Sequence, residues 1–187
     1  MQITPSTRPA LLRKRAAGAF ALVALACGLG ACSSASNGEA REYAVPSSLC
    51  GTPVPADLLA PFLPSGSAVA SRTEGEPAAG VKRCVVTVDG ERALTAATEW
   101  REKGERPSEV ALDHERVNMA DHESTGTYLY SGTGAVGRVD GCTSPTFGGD
   151  LFTVLETQVE DGDKAAMKQL ITAYSEATRS SDVCTSR

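Results

Sequence analysis

Two histidines head the short roll of side chains that could do chemistry here. They stand in Asp113-His114-Glu115 and Asp121-His122-Glu123, where an imidazole among carboxylates could hold a divalent metal or serve a hydrolytic site. On a continuous helix His114, Asn118 and Asp121 would share a face, with His122 well off it. The zinc motif HExxH is not formed, because Asn118 stands where its second His is required, and no third strong ligand is near. A solvated acidic stretch running from helix into loop is the expected account. Gly132-Thr133-Gly134-Ala135-Val136-Gly137 matches GxGxxG after a strand-like run at 128–130. Dinucleotide binding requires a helix to open at the third glycine, so that its N-terminus holds the pyrophosphate. Here Arg138-Val139-Asp140-Gly141-Cys142, then Pro145 and Gly148-Gly149, leave no room for one, and a glycine-rich bend between strands is expected, with no cofactor. No GxSxG is present. One Trp is thin for a sugar platform, and Trp100, between Glu99 and Arg101, reads as a core or sheet residue.

The cysteines carry more information. Six are present, and Cys50, Cys84, Cys142 and Cys184 fall in the body of the chain without any CxxC pair, which argues against a zinc ribbon or a redox centre. Four cysteines allow three pairings. Cys50–Cys84 and Cys142–Cys184 are expected, since each then ties one end of a helix-containing half to a strand of the same half. Loops of this size are worth roughly 4 kcal/mol each in the loop-entropy account.

The remaining two cysteines lie in a leader. Arg13-Lys14-Arg15 is a basic start, and residues 16–31 form an uncharged run rich in Ala and Gly, short of the roughly 20 residues that span a bilayer. Leu29-Gly30-Ala31-Cys32 closes it and resembles the lipobox of bacterial lipoproteins processed by signal peptidase II. The resemblance implies that the Cys32 thiol receives a diacylglyceryl group and that cleavage makes Cys32 the new N-terminus. Cys27, after Ala24-Leu25-Ala26, is the competing site and the poorer match, with Ala in place of the first Leu. Ser33-Ser34-Ala35-Ser36-Asn37-Gly38-Glu39 reads as a polar, flexible tether. Two acyl chains make such an attachment stable where one would not. The domain plan is therefore a signal peptide over 1–31, a tether over 32–48 from lipidated Cys32, and one exported globular domain over 49–187. Taking the four basic residues of the leader from the 18 of the whole chain leaves 14 against 23 acidic, a net charge near −9. An acidic domain without a Lys/Arg cluster has no electrostatic footprint for nucleic acid, nor for anionic lipid through its folded surface.

The elements that must position these residues come from periodicity. Pro53 and Pro55 before 56–60, with Pro61 and Pro64 after, allow one or two helical turns. Strands are expected over 67–74 and 83–88. Asp89-Gly90 then signals a hairpin into a strand over 93–100, against a helix over 93–103 as the runner-up. Pro107-Ser108-Glu109 opens a helix over 110–118. Further strands are expected over 127–130, 135–139 and 150–159, the last buried on much of both faces. A long final helix over 165–178 places Ala166, Leu170, Ala173 and Ala177 on one stripe with Met167, Ile171 and Tyr174 beside it, and Asp161 and Asp163 at its positive end. The fold class is α+β: an antiparallel sheet with helices packed mainly on one face, a long C-terminal helix and two disulfides. The arrangement is similar to small actinobacterial lipoproteins of unknown function, a resemblance that brings no catalytic residues. The expectation is a membrane-anchored, extracytoplasmic, non-catalytic binding or interaction domain whose partner is an envelope protein or a small molecule. The alternative is a small envelope hydrolase or metal-dependent enzyme assembled from dispersed residues, with His114, His122 and Asp121 as its candidates.

Overall fold

The computed structural model describes residues 41–76, 79–142, 144 and 146–185. Cys27, Cys32 and the leader lie outside the described residues. The chain order is β1 (Ser48–Leu49), β2 (Thr52–Pro53), α1 (Ala56–Leu59), β3 (Val69–Glu76), β4 (Val81–Val88), β5 (Glu91–Arg101), α2 (Pro107–Val110), β6 (Glu123–Ser124), β7 (Tyr128–Tyr130), β8 (Gly134–Val139), β9 (Asp150–Thr157), α3 (Lys164–Arg179) and α4 (Asp182–Thr185). Strands β3 to β9 form a seven-stranded sheet in the order β3-β4-β5-β9-β8-β7-β6, and every neighbouring pair is antiparallel.

Turn chemistry sets the centre of this sheet. Asp89 and Gly90 both take positive φ, 50° and 89°, the conformation that lets a two-residue turn match the twist of its strands. The Asp89 carboxylate also accepts from the backbone N–H groups of Ser67 and Ala68, at 3.0 and 2.8 Å, which holds the start of β3 beside the hairpin. The Ala- and Thr-rich run in β5 is strand, not helix: its small side chains lie between β4 and β9, where both faces are covered.

Alternation divides the sheet side chains between two cores. On one face Cys84, Val86, Leu94, Ala96 and Leu155 pack under α3 and the N-terminal segment carrying Leu49, Leu59 and Phe62. On the other, Ala97, Val136, Phe152 and Val154 lie under Val110, Ala111 and Val117. The buried stripe of α3 is Met167, Leu170, Ile171, Tyr174 and Thr178, rotated away from the alanine stripe expected from sequence. The bulkier side chains bury more apolar surface, so they turn inward and the alanines flank them. Asp163 caps the helix, its carboxylate accepting from Ala166 N–H at 2.6 Å.

Two boundaries differ from the sequence reading. Residues 41–48, read as the end of the tether, lie on the domain: Tyr43 and Val45 pack against its core, and Arg41 donates to the carbonyl oxygens of Ala60 and Leu63. The helix expected over 110–118 is confined to Pro107–Val110 and a 3-10 turn over Ala111–Asp113, and His114 is already extended. The reason is competition for backbone partners. The Arg116 carbonyl accepts from Thr133 Oγ1 at 2.5 Å and the Asn118 N–H donates to Ser131 Oγ at 3.1 Å, so groups a longer helix would use are taken by the β7–β8 turn.

Candidate functional site

The sequence-derived suspects are not brought together. His122 is exposed, with Nδ1 3.0 Å from the Met119 carbonyl oxygen. Asp121 is exposed and ion-paired with Lys164. His114 corrects the expectation of a solvated stretch: it is only 9 % exposed, driven down between two sheet carboxylates. Its Nε2 is 3.4 Å from Glu99 Oε2 and its Nδ1 3.6 Å from Glu156 Oε2. The register explains the meeting. Glu99 on β5 pairs with Phe152, two residues further back Ala97 pairs with Val154, and Thr95 pairs with Glu156. The two carboxylates thus stand diagonally across the small side chain of Ala97, on the face that α2 and the segment after it cover.

Burial alone would drive the His114 imidazole neutral, yet Glu156 and Glu99 outweigh it and its pKa is pushed up to about 9. Burial alone would push Glu99 up; His114, Arg83 and Arg101 together hold it below the usual carboxylate range. Glu156 is held low by His114 against the opposing effect of burial. At neutral pH the cluster is therefore an imidazolium between two carboxylates. Buried Nε2 makes no hydrogen bond among the described residues, so its contact with Glu99 at 3.4 Å is a charge pairing. The cluster pins residues 111–117 to the sheet. Among the described residues no group of three His, Cys, Asp or Glu could hold a metal ion. Glu99 and Glu156 went unremarked in the sequence as partners of His114. Their signal was a carboxylate at a buried-phase position of two strands, where a charge requires a counter-charge.

The GxGxxG pattern forms the β7–β8 turn and the start of β8, and Gly137 lies inside that strand. Its glycines serve close packing. A Cβ on Gly132 would lie 2.1 Å from the Gly162 carbonyl oxygen, and one on Gly137 would lie 2.6 Å from Ser175 Oγ. Ser175 bonds Thr153 Oγ1 there at 2.6 Å, joining α3 to β9. Replacing Gly132 with Ala is expected to cost about 1–3 kcal/mol, the usual range for overpacking; urea unfolding measures it, and an unchanged midpoint would contradict the close approach.

Both disulfides have the expected pairing, Cys50–Cys84 with an S–S distance of 2.04 Å and Cys142–Cys184 with 1.99 Å. The second ties α4 to the segment after β8 and so builds the wall of an accessible cleft. Trp100 at the end of β5 stacks on Phe147, with ring centroids 5.9 Å apart and planes inclined by 20°. Gly80, at φ +74°, lies beneath them, where a Cβ would come 3.0 Å from Trp100 Cβ and 3.2 Å from the Phe147 ring. With Lys82, Thr98 and Val183 these residues line a cleft of about 210 Å³, and a second recess of about 10 Å³ shares Lys82, Thr98 and Val183 with it and reaches in to Tyr174 and Thr178. A recess of that size admits about one water molecule. The cleft combines an aromatic wall, hydroxyls and an ammonium, which suits binding.

Fold and site together describe a two-disulfide α+β domain with a covered sheet and a side cleft. No family model, curated protein or solved structure matches the chain.

Proposed function

We propose that this chain is an extracytoplasmic lipoprotein, cut before Cys32, lipidated there and held at the outer face of the cytoplasmic membrane, and that its folded domain is a non-catalytic binding module. The observation that carries the reading is Leu29-Gly30-Ala31-Cys32 at the end of a basic-then-apolar leader. Two disulfides support it, because such bonds persist in oxidising compartments. The binding role is supported by the open, aromatic-walled cleft beside Cys142–Cys184 and by the burial of His114 away from solvent.

Globomycin, or the substitution Cys32→Ser, is expected to abolish both processing and incorporation of labelled fatty acid. The precursor should then accumulate at its unprocessed mass. A Cys32→Ser protein of unchanged mass that still takes up label would overturn the anchor and point to Cys27.

A further inference from the structure

The cleft beside Trp100 has the chemistry of a site for an anion. Lys82 lines both the cleft and its inner recess, and it makes no ion pair among the described residues. Among those residues no Asp or Glu lines either space, in a chain whose net charge is −5. An ammonium kept clear of carboxylates within an acidic protein leaves its charge available to a ligand.

The hydroxyls give the second, independent observation. Thr98 is 5 % exposed, Tyr174 3 % and Thr178 fully buried. All three line the recess, and the buried Thr178 Oγ1 has no hydrogen-bond partner among the described residues. Buried hydroxyls ordinarily have partners. Thr98 is paired with Lys82 across β4 and β5, so the ammonium stem and the Thr98 side chain rise from the same point of the sheet.

We infer that this cleft binds a small carboxylate with an apolar or aromatic body: one carboxylate oxygen enters the recess beside Thr98, the other meets Lys82, and the body lies on Trp100 and Phe147. The recess is sized for a single oxygen, so one oxygen of the anion enters it and the other stays in the open cleft with Lys82. The aromatic wall supplies the apolar contact that a small ligand needs beyond its one charge pair. This inference rests on the reading of the domain as a binding module and adds the class of ligand.

The chain has one tryptophan, and it lines the cleft, so its emission reports occupancy directly. The full chain, in detergent, is titrated with phenylacetate and separately with phenylacetamide. Phenylacetate is expected to shift Trp100 emission saturably and to bind at least tenfold more tightly than the amide. Lys82→Met is expected to remove that tenfold preference while leaving the amide unaffected, and Thr98→Val to weaken the acid several-fold, both with unchanged melting temperature. Acid and amide binding equally would overturn the carboxylate assignment while keeping the cleft as a binding site. A preference that survives Lys82→Met would overturn the role of that residue in the assignment. Absence of any saturable change would overturn the ligand class and the binding reading of the cleft together. None of these outcomes bears on Cys32, whose test is separate.

Discussion

Replacing His114 with Gln is expected to destabilise the folded domain by about 3 kcal/mol at neutral pH, the lower end of the usual cost of breaking a buried ion pair. The lower end applies because Glu99, 3 % exposed, keeps Arg83 at 3.4 Å and Arg101 at 3.8 Å when the imidazolium is gone. The effect has a pH signature that a packing defect would lack. His114 has a folded pKa near 9, raised from 6.5. A raised pKa stabilises fully below the unfolded value and loses that contribution as pH climbs through the folded one. Wild-type stability should therefore fall between about pH 6.5 and 9, while the His114→Gln protein, which lacks the buried imidazole, shows no such fall. Glu99 and Glu156 have depressed values, so their share is present above the ordinary carboxylate range and is lost as pH falls below it, through their lowered folded values. Melts of both proteins at about pH 6 and about pH 10 decide the matter: the gap between them should be wide at the first and nearly closed at the second. A gap of constant width would mean that His114 is neutral and merely fills space.

Removal of the Cys50–Cys84 disulfide by the double substitution to Ala is expected to cost as much or more. A link across 34 residues is worth roughly 4 kcal/mol in the chain-entropy account, before any change in the folded state. Two features of the folded state add to this. Cys84 is 4 % exposed in the main core, so its replacement by Ala also leaves unfilled volume. Cys50 holds a φ of 47°, a left-handed conformation that an untethered Ala leaves more readily. The N-terminal segment, with Leu49, Leu59 and Phe62 in the core, then loses its covalent tie to β4. Denaturant unfolding measures the difference, and a loss under about 1 kcal/mol would show that packing alone seats this segment.

The pairing of β4 with β5 was legible because its signals are local. Val85, Val86 and Val88 favour strand, and Asp89-Gly90 permits only a tight turn of one hand. The cysteine pairing was legible too, since each link closes within one half of the chain. Residues 110–118 were misjudged for the opposite reason: Pro107 and Glu109 start a helix correctly, but what ends it is Ser131 and Thr133, residues brought near only by the fold. His114 suffered the same fate. Its neighbours Asp113 and Glu115 looked like its electrostatic environment, whereas the carboxylates it meets are Glu99 and Glu156.

The sequence by itself determined the antiparallel α+β class, the two disulfides, the central hairpin and the capped final helix, because propensity, turn chemistry and periodicity act over a few residues at a time. Only the tertiary structure decided that one histidine is a buried counter-ion and the other a surface side chain, and that Lys82 and Thr98 line both the cleft walled by Trp100 and the recess lined by Tyr174 and Thr178. Those meetings depend on strand register and on which face each helix covers. A shift of one residue in a strand's register would send its side chains to the opposite face of the sheet.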